Sequence, residues 1–198
     1  MDFYNRQQSL GLDTDKCVVV IGCGGIGMNA ALQLAMAGIK KLIIFDADTI
    51  EPHNLNRLPV PANFIGRNKA DTAKTFIELM RPDDVDVTAY PFNFNPDVID
   101  LREVDFILDC TDVFAAQNFN QKVADDFHIG YAKAGYDGFS ISINNRVGQW
   151  DTGDTPDGYQ VVPSYCVPAI VIASLAVHKI LTNSDKEIAC KVKDLYSR

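Results

Sequence analysis

The chain is expected to fold as an α/β protein, a mostly parallel sheet with helices on both faces and an antiparallel hairpin in its C-terminal part. Three observations carry that expectation. Short apolar runs recur at Val18–Ile21, Leu42–Phe45 and Asp105–Asp109, with the length and composition of strands buried on both faces. An Ala-rich amphipathic stretch closing at Gly38 lies between the first two. The first run passes directly into Gly22-Cys23-Gly24-Gly25-Ile26-Gly27, and the second ends on Asp46. Strand, glycine turn, helix, strand and acid follow one another in the order of a dinucleotide-binding βαβ unit, which makes the expected fold Rossmann-like.

Each part of that unit has a physical task. Gly22 makes the tight turn, Gly24 and Gly25 let phosphate approach bare backbone, and Gly27 lets helix and strand pack closely. The helix N-terminus adds unpaired N–H groups and a partial positive charge for an anion. Asp46 stands 19 residues past the last glycine, the separation at which a carboxylate accepts ribose hydroxyls. Nucleotide binding follows from this register; the identity of the nucleotide does not.

At 198 residues the chain is long enough for one domain with a substantial core. It divides into an N-terminal arm (1–16), a Rossmann-like core (17–135) and a C-terminal hairpin, helix and tail (136–198). A formal net charge of −8, with no cluster of Lys and Arg, argues against a nucleic-acid surface. The sequence carries neither a leader-like N-terminus nor an apolar run of spanning length, and the expected location is cytoplasmic. Cys17, Cys23, Cys110, Cys166 and Cys190 are odd in number and scattered without a CxxC pair. They read as reduced thiols, not as a disulfide framework or a zinc cage.

The remaining elements follow in order. Residues Asp2–Gln8 form a short amphipathic arm. Past Asp46, the stretch Asp48-Thr49-Ile50-Glu51-Pro52-His53-Asn54-Leu55-Asn56-Arg57 has prolines and asparagines that break any period. It is an extended loop at the carboxyl end of the second strand, where open α/β sheets bind ligands, and Asn54, Asn56 and Arg57 offer donors to a polyanion. A helix opens near Lys69 and ends before Pro82, with Ala73, Phe76, Ile77 and Met80 on one face. Lysine in a first helical turn is disfavoured by the helix dipole unless an anion sits nearby.

Val85–Tyr90 alternates as a strand, Pro96–Leu101 is a helical turn or two, and Asp105–Asp109 ends in Cys110-Thr111-Asp112. Asp112 is a candidate magnesium ligand beside phosphate, and equally an N-cap for the helix Ala115–Phe127. Ile129–Ala134 is a further strand. Phe139–Asn144 and Arg146–Trp150 read as a hairpin about Asn144-Asn145, and Asp151–Gly158 as a polar loop. Pro163–Pro168 leads into an apolar helix ending near Leu181, in which His178 reads as a packed histidine. Lys186–Tyr196 closes the chain as an edge strand or tail.

Six motifs in order then carry a resemblance: Tyr4-Asn5-Arg6-Gln7, GxGGxG at Gly22–Gly27, DxDxI at Asp46–Ile50, NLxR at Asn54–Arg57, GxxKA at Gly66–Ala70 and CTD at Cys110–Asp112. Together they resemble the ThiF/MoeB/HesA superfamily, relatives of the ubiquitin-activating enzymes, over nearly the whole chain. The resemblance implies an ATP- and Mg²⁺-dependent adenylyltransferase. Its substrate would be the C-terminal carboxylate of a ubiquitin-like or sulfur-carrier protein, or of a peptide ending in Gly. It also implies a homodimer. The implied roles are residue by residue. Gly22, Gly24, Gly25 and Gly27 cradle the nucleotide, Asp46 holds the ribose, and Asp48 belongs to the nucleotide-binding set. Asn54, Arg57 and Lys69 grip the triphosphate, Asp112 positions magnesium, and Arg6 reaches across the dimer.

The chain also departs from the family pattern. Leu58 stands where many relatives have Gln, and Val113 where many have Asn. The interval from Trp150 to Pro163 is short where many relatives carry a long crossover with a catalytic cysteine and CxxC zinc pairs, so structural zinc is not expected. Cys166, at a helix start, is the candidate nucleophile of this region; an inert cysteine is the plainer reading. Two other functions share parts of the pattern. An NAD-dependent oxidoreductase uses the same glycine turn but gives Arg57, Lys69 and Asp112 no joint task. A non-catalytic dimeric partner of the same fold would be expected to lose Arg6, Arg57, Lys69 and Asp112, and all four are present.

Overall fold

The computed structural model describes residues 3–148, 154–155, 158–159 and 162–195. In chain order its elements are β1 (Cys17–Ile21), α1 (Gly27–Met36), β2 (Lys41–Phe45), α2 (Lys69–Met80), β3 (Asp86–Tyr90) and β4 (Phe106–Asp109), followed by α3 (Phe114–Phe127), β5 (Gly130–Tyr136), β6 (Ser140–Asn144), β7 (Asp154–Thr155), β8 (Gly158–Tyr159), α4 (Cys166–Leu181) and β9 (Ile188–Lys191). Seven strands form one sheet in the order β3-β2-β1-β4-β5-β6-β9. The first five run parallel, with Val20 paired to both Ile44 and Leu108. Strand β6 is antiparallel to β5, and β9 antiparallel to β6.

The alternation of side chains along β1 explains why both faces are covered. Val18 and Val20 point with Leu42 and Ile44 into a core closed by Leu34 of α1, Ile77 of α2 and Ile172 of α4. Val19 and Ile21 point the other way, with Ile43 and Ile107, against Leu101, Val104 and Val123 of α3. A fully buried aliphatic side chain of this kind contributes about 1.5–3 kcal/mol. No helix among the described residues is long and apolar enough to cross a membrane.

The topology also places the site. From β1 the chain moves outward to β2 and β3, with α1 and α2 on one face. It then returns to the opposite side of β1 for β4 and sends α3 over the other face. Right-handed crossovers in opposite directions require opposite faces, so the connections diverge between β1 and β4. The crevice at the carboxyl ends of those strands is where ligands bind in such sheets. Gly22 sits at its floor, with its N–H on Phe45 O at 2.9 Å. The φ of Gly22 is +85°, a left-handed conformation costly for other residues, and a Cβ there would lie 3.1 Å from the Cys110 carbonyl. At Gly27 a Cβ would fall 1.8 Å from Gly22 O, so helix and strand meet only without one.

The structure relocates the hairpin. The expected turn at Asn144-Asn145 is not one: Asn145 N–H donates to Glu187 Oε1 and its Nδ2 to Asp185 O, which draws the chain toward the approach to β9. Residues Arg146–Gly148 form no strand, and the rest of the expected second strand lies outside the described residues. The hairpin joins β5 to β6 instead. Its turn is held by Asp137, whose Oδ1 accepts from Phe139 N–H and Ser140 N–H, both at 2.6 Å. Asp137-Gly138 is the type of dipeptide such turns prefer. Within the expected polar loop, β7 and β8 pair as a separate two-stranded ladder. Strand β9 is the sheet edge expected near the end of the chain.

Candidate functional site

Three segments meet at the glycine turn. The first leaves β2. Asp46 Oδ2 accepts from Cys23 N–H at 2.5 Å and Oδ1 from Asp48 N–H at 2.8 Å, so this carboxylate ties the turn to the end of β2. Burial raises the Asp46 pKa, and the nearby Lys69 charge opposes that rise. Asn68 caps α2, accepting from Asp71 N–H at 3.0 Å and donating to Asp46 O at 2.8 Å. Lys69 is therefore the first helical residue, and its Nζ lies 2.7 Å from Asp48 Oδ2. The lysine side chain is 12% exposed and the aspartate 71%. The anion that a lysine at this helix start calls for is here a carboxylate of the chain itself.

The second segment is the loop 51–58. Asn54 is buried, and its Oδ1 accepts from Glu51 N–H at 3.0 Å, fixing the turn Pro52–Asn54. Arg57 Nη1 donates to His53 O and Asn56 Oδ1, both at 2.9 Å. Asn29 of α1 donates to Gly25 O at 2.7 Å and Arg57 O at 3.1 Å, clamping the loop to the glycine turn. A Cβ on Gly25 would lie 3.2 Å from Arg57 Cγ and Cδ, and 2.6 Å from the Tyr136 hydroxyl. At Gly24 nothing comes within 4 Å of that position, which leaves the turn open there. Leu58, the first departure from the family pattern, is buried in the core on the α1 side.

The third segment leaves β4. Asp109 is fully buried, and burial raises its pKa. Its Oδ1 accepts from Thr111 N–H at 2.9 Å and Thr111 Oγ1 at 2.7 Å, and its Oδ2 from Asn120 Nδ2 at 2.9 Å and the Tyr131 hydroxyl at 3.0 Å. This network fixes the turn that presents Asp112, which is exposed. Asp112 does not cap the next helix: Val113 holds the N-cap position of α3 without a side-chain bond. The helix starts one residue later than a cap at Asp112 would require.

The other predicted residues lie farther out. Cys166 is exposed and begins α4, whose N-cap Tyr165 makes no side-chain cap bond. The segment before it reaches the site through Asn56 Nδ2, which donates to Ser164 O at 2.8 Å. Cys23 and Cys110 are held protonated by burial, and the same effect pushes Cys17 up to about 11. Arg6 is exposed in a docked arm: the Tyr4 hydroxyl bonds Asp84, Gln7 donates to Ala37 O at 2.7 Å, and the Tyr4 ring packs on Gly38. That is the far end of α1, about 15 Å of helix from the glycine turn. His178 is exposed rather than packed; its neighbour Lys179 is the buried one, with Nζ on Ser184 O at 2.7 Å and Lys186 O at 3.0 Å. Residue-by-residue reading missed Tyr136, Asn29 and the Asp109 network, though the alternation of β5 could have set Tyr131 beside Asp109.

A parallel sheet with a glycine turn at its switch point and cations beside it defines a Rossmann-type α/β protein. The chain belongs to the ThiF family, which it matches over residues 7–153. It is 28% identical over 183 residues to ubiquitin-like modifier-activating enzyme 5 of Drosophila erecta, covering 84% of this chain and 43% of that one. To the adenylyltransferase and sulfurtransferase UBA4 of Kluyveromyces lactis it is 38% identical over 110 residues, covering 54% and 24%. The crystal structure of PaaA superposes with a TM-score of 0.70 at 26% identity, covering 91% of this chain and 62% of that chain. The chain thus spans under half the length of the two curated relatives.

Proposed function

We propose that the protein is an ATP- and Mg²⁺-dependent adenylyltransferase. It activates the C-terminal carboxylate of a ubiquitin-like or sulfur-carrier protein, or of a peptide, and works as a homodimer. One observation carries the reading: the three separate segments that carry Arg57, Lys69 and Asp112 meet at one glycine turn. Arg57 packs on Gly25. Lys69 pairs with Asp48, whose N–H is held by the same Asp46 that bonds Cys23 N–H. Asp112 follows Thr111, whose backbone N–H lies against Gly22. The names of the two curated relatives support the activity, because one is a modifier-activating enzyme and the other an adenylyltransferase.

The residues fit the groups the reaction needs. The open turn at Gly24 and the uncapped start of α1 suit a phosphate chain. In the reaction a substrate carboxylate oxygen attacks the α-phosphorus. The bridging bond between the α- and β-phosphates breaks, and pyrophosphate leaves with the electron pair. Arg57 and Lys69 stabilise the charge that builds on the phosphate oxygens, which is the largest catalytic term available to such a transfer. Asp112 would hold Mg²⁺, which when bound neutralises phosphate oxygens. No side-chain nucleophile is needed for this step.

The test is ATP–pyrophosphate exchange with candidate proteins or peptides ending in Gly. Exchange that depends on the carboxylate partner and is lost in Lys69→Ala and Asp112→Ala is expected. Unchanged exchange in both variants would overturn the roles given to these residues, and tight NAD binding without ATP binding would overturn the reaction.

A further inference from the structure

We infer that Asn29 is a positioning residue of this site: its side-chain amide sets Arg57 against the glycine turn at the spacing a phosphate chain needs. The inference rests on the nucleotide reading above, and it gives Asn29 a role through Arg57, not on the ligand.

Asn29 lies in the first turn of α1 and is 7% exposed, among Met28, Ala30 and Ala31, which are fully buried. Helix propensity favours alanine at such a position, and a buried amide costs stability unless it is bonded. Asn29 meets that condition with two bonds from one nitrogen, to Gly25 O at 2.7 Å and to Arg57 O at 3.1 Å. Both hydrogens of the amide are thereby used.

Those two carbonyls belong to the turn and to the loop that faces it. Gly25 is where bare backbone meets the ligand. The Arg57 stem stands over it, with Cγ and Cδ 3.2 Å from where a Cβ on Gly25 would lie. One nitrogen therefore fixes the gap between turn and arginine. The helix start is built around the same contact. Met28 N–H and Ala30 N–H donate to Gly24 O at 3.1 Å and Ile26 O at 2.8 Å, and the carbonyl between them is taken by the Asn29 side chain. The guanidinium end is set separately, with Nη1 on His53 O and Asn56 Oδ1, and it keeps further donors for phosphate oxygens. Leu58 anchors the same loop by burial; the directional bond is the amide's. Groups on loops hold their geometry less well than groups tied to helices, and small displacements of a positioning group are costly to a phosphate transfer.

The experiment is a double-substitution cycle. Asn29→Ala, Arg57→Ala and the double variant are each titrated calorimetrically with Mg-ATP and with adenosine, beside a thermal melt. Asn29→Ala should weaken Mg-ATP binding about tenfold, as when one bond to a charged group is lost, and leave adenosine affinity unchanged. In the Arg57→Ala background the same substitution should add less than about twofold. Asn29→Ser, which keeps one donor, serves the cycle if the alanine variant does not fold. Unchanged Mg-ATP affinity, an equal loss for adenosine, or losses that multiply in full in the double variant would each overturn the assignment. Failure of the unsubstituted chain to bind Mg-ATP would instead overturn the nucleotide reading beneath it.

Discussion

Lys69 Nζ lies 2.7 Å from Asp48 Oδ2, a nearly buried ammonium held by an exposed carboxylate. Pairs with one solvated partner contribute little to stability, roughly 0–1 kcal/mol. Their separation is therefore testable apart from folding. Lys69→Ala should leave the unfolding free energy within about 1 kcal/mol of the unsubstituted chain while lowering pyrophosphate exchange by about two orders of magnitude or more. Urea unfolding and exchange kinetics on one preparation check both. A large loss of stability with proportionate loss of activity would make the lysine structural.

Gly25 and Gly27 stand two residues apart and should respond oppositely. A methyl group at Gly27 collides with backbone, 1.8 Å from Gly22 O, and the helix cannot move without leaving the sheet. Gly27→Ala should cost about 3 kcal/mol or more, beyond ordinary overpacking. At Gly25 the nearest atoms belong to the side chains of Tyr136 and Arg57, which can rotate away. Gly25→Ala should fold with a near-normal melting midpoint and bind nucleotide poorly. Equal melting losses in the two variants would contradict this division.

Asp109 offers a pH test. Burial holds its folded pKa above the ordinary value, which is about 3.9 in an unfolded chain. The folded state therefore binds more protons between those two values. The stability contributed by this group is full below the unfolded pKa and is lost as pH rises through the folded one. Asp109→Asn removes the titration and deprives Asn120 and Tyr131 of an acceptor, at a cost of about 1–3 kcal/mol. Its deficit relative to the unsubstituted chain should be largest in acid and shrink toward neutral pH. Denaturant unfolding across that range measures it, and a deficit that grows toward neutral pH would refute the raised pKa.

These contrasts mark where sequence reading worked. The β1-α1-β2 unit was legible because its signals are local: β-branched runs, a glycine turn and an acid in register. The start of α2 was legible near Lys69 for the same reason. The β5–β6 turn was missed because two successive turn-forming pairs, Asp137-Gly138 and Asn144-Asn145, competed, and only the partners of Asn145 near β9 decide between them. The wall of the site was missed because its bonds are long-range. Asn56 meets Ser164 O and Tyr136 meets Gly25 only after the sheet has formed. His178 was read as packed but is exposed, because an apolar helix does not say which polar residue the carbonyls beyond its end will draw inward, here Lys179.

Asp112 should report on the magnesium requirement of the exchange reaction. It is exposed, and its position is set through Thr111 and Asp109. Asp112→Asn should raise the Mg²⁺ concentration needed for half-maximal exchange and leave the melting midpoint unchanged. An unaltered Mg²⁺ requirement would remove the residue from the metal's coordination.

Arg6 provides the sharpest test of the proposed dimer. Its arm is docked by Tyr4 and Gln7 at the far end of α1, about 15 Å of helix from the glycine turn of the same protomer. An arginine there serves a site only if a second copy brings one to it, which isologous contact between two copies allows. Arg6→Ala and Lys69→Ala should each be inactive alone. Mixed and allowed to exchange subunits, they should recover roughly a quarter of the normal activity, because half of randomly assorted dimers are mixed and each mixed dimer carries one intact site. Recovery requires that Arg6 act on the partner's nucleotide. If the mixture stays inactive although subunit exchange is demonstrated, the arginine acts within its own protomer or not at all. If Arg6→Ala alone keeps full activity, the arm has only a structural role.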